Sequence, residues 1–228
     1  MTGIPYWHFT VGILTDPNAV NDWNHLAEVW VVDNGIVEEG DTGTYTYCDS
    51  IVGGVIWTDK QAEVLADDFL RAMRNGYRIN AAGHSNGGKL LCRALQLHPE
   101  IRLGELHLIA SAADVDCDKN GLNQAARNGQ FESVTIYISP EDEILSSPIA
   151  YGQQGLKHPQ NVGIELLAKL RISNRKIEDA PCRHSDWVGK NFEATMRIMT
   201  GLPAQPAPED VPTVTDSTTA RASLGGSP

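Results

Sequence analysis

Residues 77–97 read Tyr77-Arg-Ile-Asn-Ala-Ala-Gly83-His84-Ser85-Asn86-Gly87-Gly-Lys-Leu-Leu-Cys-Arg-Ala-Leu-Gln-Leu97. The stretch opens on a mostly apolar run of strand length, Tyr77 to Ala82. It closes on an amphipathic helical pattern, Asn86 to Leu97, which His98-Pro99 stops. Between the two lies Gly83-His84-Ser85-Asn86-Gly87, a G-x-S-x-G match. A strand that turns this sharply into a helix holds its serine in a strained backbone conformation. Side chains at 83 and 87 would collide with the neighbouring strand and helix, so glycine is needed at both. The Ser85 hydroxyl then points out from the sheet edge at a helix N-terminus, where partial positive charge favours a developing oxyanion. The spacing GHSNGG does not fit GxGxxG, and no Gly-Lys-Ser/Thr follows. Dinucleotide and P-loop readings are therefore excluded.

Outward from this junction, short β-like runs alternate with helical ones. His8–Leu14, Thr42–Tyr47, Glu105–Ala110, Val134–Ser139 and Arg171–Ile177 read as strands. Asp22–Val32 reads as a helix with Leu26, Val29 and Trp30 on its apolar face. Residues 50–57, apolar and Gly-rich, read as loop. Lys60–Arg74 is the clearest helix, with Ala62, Leu65, Ala66, Phe69 and Met73 at helical spacing. Thr58 and Gln61 form a capping-box pair at its start, and Gly76 occupies the position of a left-handed C-terminal cap. A last helix spans about Lys190–Met199. The alternation predicts an α/β protein: a three-layer α/β/α sandwich around a mostly parallel sheet of about six strands.

The 228 residues suit one domain, predicted over 1–201. Composition changes after Gly201. Residues 202–228 hold five of the twelve prolines, no aromatic residue and many Ser, Thr and Ala, which predicts a disordered tail. The formal net charge of −11 argues against nucleic acid and against an anionic membrane surface. Cys48, Cys92, Cys117 and Cys182 form no CxxC pair and no zinc spacing. The start, MTGIPYWHFTVGIL, has neither a basic n-region nor a long apolar run, so no signal peptide or membrane span is expected and the reading is cytoplasmic with free thiols.

The strand, elbow and helix together resemble the α/β-hydrolase superfamily, over about residues 8–200. The resemblance implies a nucleophile, an acid and a histidine in that chain order. A serine hydroxyl is a weak nucleophile at neutral pH and needs a base within hydrogen-bond reach, itself oriented by an acid. The family's acid loop follows a later strand, and Ser139-Pro140-Glu141-Asp142-Glu143-Ile144-Leu145 resembles it with Asp142 at the acid position. Glu141 and Glu143 are close competitors. Asp114 is an alternative acid, because some family lipases carry theirs one strand earlier. Asp114-Val-Asp116-Cys-Asp118 also mimics a calcium loop, but Lys119 and Ala125 stand where glycine and glutamate are required, so no metal is expected.

Of seven histidines, His8 and His25 precede the serine, and His84 sits inside the elbow, expected to point away from the triad. His98 and His107 belong to a helix end and a strand. His184, in Pro181-Cys182-Arg183-His184-Ser185-Asp186-Trp187, falls where the family's histidine loop lies, whereas His158 suits a lid. The oxyanion hole is expected from the backbone N–H of Asn86 and of Ile13, with Leu14 as second choice, Val11 replacing the family's histidine beside them. The resemblance implies acyl transfer without a cofactor on a small-molecule ester, by a carboxylesterase- or lipase-like enzyme. Thioesterase, amidase or peptidase chemistry and a catalytically silent binding module are the alternatives. No large cap fits between the landmarks, and residues 149–163 suit a small flap. Trp7, Trp23, Trp57 and Trp187 either line an apolar acyl pocket or fill the core.

Overall fold

The computed structural model describes residues 3–11, 22–46, 58–138, 142–146, 155–173 and 183–203. Six strands run through it: β1 (Ile4–Thr10), β2 (Thr42–Tyr45), β3 (Tyr77–His84), β4 (Leu103–Ile109), β5 (Phe131–Tyr137) and β6 (Leu170–Ser173). They hydrogen-bond in the order β2-β1-β3-β4-β5-β6, and all five pairings are parallel. A parallel neighbour needs a crossover, and the helices supply it. They are α1 (Trp23–Asp33), α2 (Thr58–Arg74), α3 (Asn86–Leu97), α4 (Leu122–Arg127), α5 (Glu143–Ser146), α6 (Ile164–Leu167) and α7 (Phe192–Thr200). Helices α2, α3 and α4 pack in series, with α2 and α3 against β3, while α1 packs against β1 and β2 and meets α7. The three-layer α/β/α architecture of the sequence reading is the observed one.

The core explains most of the element boundaries. α2 buries Ala62, Leu65, Ala66 and Phe69, the stripe its spacing predicts. The Gln61 arm of its capping box is not made: Gln61 Oε1 accepts no hydrogen bond. Gly76 follows with φ +84°, the left-handed stop that the sequence marks. α1 is turned relative to expectation. It buries Trp23, Asn24, Ala27, Trp30 and Val31, while Leu26 and Val29 are exposed. The bulk of the two tryptophans decides the rotation: aromatic area outweighs that of one leucine and one valine. β1 begins earlier than expected, at Ile4, because its first residues pair with Tyr77–Ile79 of β3. The short helices α4, α5 and α6 carry too few residues for a periodic signal, and none was expected.

β4 and β5 alternate rather than run continuously apolar. Leu106, Leu108, Val134 and Ile136 are buried, whereas Glu105, His107, Thr135, Tyr137 and Arg171 line a cavity of about 450 Å³ on the opposite face, together with Asn80 of β3. Within it His107 is bonded to Tyr137 Oη (3.0 Å) and to Glu105 (3.2 Å). No helix among the described residues is long and apolar enough to cross a membrane.

Candidate active site

The elbow lies where β3 meets α3. Ser85 has φ 55° and ψ −122°, a left-handed backbone for a residue with a side chain. Such a conformation costs on the order of 1–3 kcal/mol and persists only where the surroundings over-determine it. They do so here. Ser85 N donates to Ile109 O (2.9 Å), and Ser85 O accepts from Ala112 N (2.8 Å) and Gly88 N (3.1 Å). The two glycines are required by backbone, not by side chains. A Cβ on Gly83 would stand 2.7 Å from the main chain of Gly87 and Gly88, and one on Gly87 would run into the carbonyl oxygens of Thr10 and Val11. The close approach of β1, β3 and α3 is what aims Ser85 beyond the sheet.

Beyond the C-terminal ends of the strands, three loops deliver three side chains. Ser85 Oγ donates to His184 Nε2 at 2.9 Å, and His184 Nδ1 donates to Asp142 Oδ2 at 2.7 Å. All three residues are buried, Asp142 completely. The second oxygen of Asp142 accepts from Leu145 N (2.9 Å), the first turn of α5, which fixes the carboxylate before it meets the imidazole. Chemically this is a hydroxyl, a base that can take its proton, and a carboxylate that stabilises the charged base.

The other residues singled out in the sequence fall as follows. Asn86 is buried at the first position of α3, beside Ser85. Ile13, Leu14, Glu141, Cys48, Cys182, Trp57 and residues 149–154 and 204–228 lie outside the described residues. Asp114 is turned to its own loop: its Oδ1 accepts from Asp116 N (2.9 Å) and its carbonyl from Asn120 (2.7 Å). His158 is exposed and is not brought to Ser85. Residues 155–163, expected to form part of a flap, are stitched down instead. Gly155 bridges Asp114, Leu156 N donates to Ser111 O, and Gln160 exchanges main-chain bonds with Val115 and Cys117. Trp7, Trp23 and Trp187 are buried in the core.

His84 corrects the sequence reading. It does not point away from the other two loops: its Nε2 donates to the main-chain carbonyl of His184 at 3.0 Å, and the two imidazoles pack with centroids 4.9 Å apart. β3 stays in register through His84, which pairs with Ile109, and the loop that carries His184, 100 positions on, comes to meet it. Only the presence of a ring donor one residue from the nucleophile could have hinted at the contact.

No family model matches the chain, and no curated protein matches it in sequence. Solved structures do match in shape. A crystal structure of a candidate hydrolase of the α/β superfamily from Xanthomonas campestris pv. campestris is 13% identical, covers 88% of this chain and 98% of its own, and superposes with a TM-score of 0.51. Est1E from Butyrivibrio proteoclasticus is 13% identical over 88% of each chain, with a TM-score of 0.46. The phospholipase PlaB from Legionella pneumophila, in complex with thio-NAD, is 14% identical over 60% of this chain, with a TM-score of 0.44. The match spans only 38% of the PlaB chain. The parallel sheet of six strands, its helical layers and the match in shape to the Xanthomonas protein over 88% of this chain agree: the chain has an α/β-hydrolase fold.

Proposed function

We propose that the protein is a serine hydrolase that cleaves a carboxylic ester of a small molecule through an acyl-enzyme. The observation that carries the reading is the unbroken hydrogen-bond chain Ser85–His184–Asp142, with both contacts under 3 Å and the whole assembly buried. Ser85 Oγ attacks the carbonyl carbon while His184 Nε2 takes its proton. Asp142 holds the imidazole in the tautomer with a proton on Nδ1 and stabilises the imidazolium that forms. The tetrahedral intermediate expels the alcohol, protonated by His184. Water, activated by the same nitrogen, then releases the acid. The oxyanion falls at the N-terminus of α3, where the Asn86 N–H and the helix dipole favour negative charge. Ile13 is assigned as the second donor on family resemblance. Every group the reaction needs is a side chain or main-chain amide of this chain, so the reading requires no cofactor.

A fluorophosphonate probe tests the reading, alongside turnover of p-nitrophenyl esters of increasing acyl length. Labelling of the wild type and its loss in Ser85→Ala, with turnover of short or medium esters, is expected. A wild type that neither labels nor turns over any ester would make the fold a binding scaffold instead.

A further inference from the structure

We propose that His84 is a positioning residue for the base of this site: it donates from Nε2 to the main-chain carbonyl of His184 and so sets where the imidazole stands relative to Ser85. The proposal rests on the reading of Ser85, His184 and Asp142 as a working triad.

His84 and the His184 carbonyl form a buried pair 3.0 Å apart, between residues 100 positions apart in the chain. The His84 ring also packs on the His184 ring at 49°, and the Trp23 ring meets the His84 ring edge-on with centroids 6.4 Å apart. A carbonyl only accepts, so the His84 proton must sit on Nε2. Burial, together with the neighbouring His184, lowers the His84 pKa to about 4, and Asp142 opposes that shift. His84 is therefore a neutral donor near neutral pH. Among the described residues, His184 and Asp142 are the titratable groups whose charge acts on it.

The contact matters because of what else holds His184. Residues 183–191 are a turn, not a strand or helix. Its local bonds, Arg183 N to Asp186 Oδ2 (2.7 Å) and Asp186 N to Arg183 O (3.0 Å), close it onto itself. The ring nitrogens of His184 are occupied by Ser85 and Asp142, which fix the tilt of the imidazole. The bond to His84 fixes the main chain that carries it. His84 and Ser85 are consecutive residues, so the spacing of nucleophile and base is set through one peptide unit instead of across the sheet.

The test uses the full chain with His84→Leu and His84→Phe, which remove the donor, and His84→Gln, which keeps one. Three quantities are read: kcat and KM on p-nitrophenyl butyrate, the acid limb of kcat/KM against pH, and the low-field proton resonance of His184 Nδ1–H. Loss of the donor is expected to lower kcat by about 10²-fold at nearly unchanged KM, the size of a misplacement of about 1 Å. It should also move the acid limb and displace or broaden the resonance. His84→Gln should recover kcat to within about 10-fold of wild type, with the resonance restored. The proposal is overturned if the Gln and apolar variants behave alike, or if only the thermal midpoint or KM changes while the resonance stays in place. A wild type with no turnover and no serine labelling would sink the triad reading alone. The resonance would then still decide whether His84 positions His184, because it reports the imidazole hydrogen bond without turnover.

Discussion

Oδ2 of Asp142 lies 2.7 Å from Nδ1 of His184, while the carboxylate of Asp114 is turned back onto its own loop. The two aspartates are rivals in the sequence, and kinetics on one variant of each tells them apart. Asp142→Asn should lower ester turnover by about 10⁴-fold, because an amide at this position favours the wrong imidazole tautomer. The amide oxygen still accepts from Leu145 N, so folding should be preserved. Asp114→Asn should stay within a few-fold of wild type. Steady-state kinetics with circular dichroism on both variants checks the pair; a reversed pattern would reassign the acid.

Gly87 tests the elbow. It lies in the first turn of α3, where Gly→Ala normally stabilises a helix by about 1 kcal/mol. Here the added Cβ would be 2.6 Å from the Val11 carbonyl oxygen and closer still to that of Thr10, both main-chain atoms that cannot rotate away. The clash should win: Gly87→Ala is expected to destabilise by about 1–3 kcal/mol and to depress turnover. Gly129→Ala is the control. It has φ +68° but open space around it, so it should cost only about 1–2 kcal/mol of left-handed strain and leave turnover unchanged. Denaturant unfolding of both variants with parallel assays separates the two causes.

His8 gives the stability of the fold a pH dependence. It is buried in β1 against the Phe69 ring, and burial lowers its pKa to about 3. Above the ordinary histidine pKa of about 6.5 both folded and unfolded forms are neutral, and His8 is silent. As pH falls through 6.5 the unfolded chain takes up a proton that the folded chain refuses until about pH 3, so stability is lost across that window. The full loss is on the order of 5 kcal/mol, at about 1.4 kcal/mol per pKa unit. Urea titrations between pH 7 and 4 should show a steeper acid loss in wild type than in His8→Gln; equal slopes would refute the assignment.

Cys92 and Cys117 are buried, and burial raises their thiols to about 12 and about 11. The thiolate is the reactive form. Both should therefore resist iodoacetamide at pH 8 in the native protein and react once it is unfolded. Mass spectrometry of alkylated peptides, native against denatured, reads this directly.

The elbow was legible in the sequence because sterics leave so few residue types for it. Gly83, Ser85 and Gly87 are each tied to a backbone contact. The long helix 58–74 was legible because its apolar stripe, Ala62 to Met73, repeats over about three turns. Chain order then carried the reading to Asp142 and His184 through resemblance, not through any local pattern around them. What stayed hidden depends on long-range packing. The rotation of α1 follows from where Trp23 and Trp30 find room, and no helical count reveals that. The contact of His84 follows from the placing of a loop 100 positions downstream. The pinning of residues 155–163 depends on a loop more than forty positions upstream.

Ser85 and His184 are 99 positions apart in the chain, and His184 is 42 beyond Asp142. Assembly of the site must therefore wait on loop closures that a growing polypeptide cannot make early. While the ribosome is still producing β4 or β5, the Ser85 hydroxyl is an ordinary alcohol with no base to activate it. On the proposed reading a chain built in this way is made in an unarmed state, and a nascent fragment that stops short of residue 184 holds Ser85 without its base.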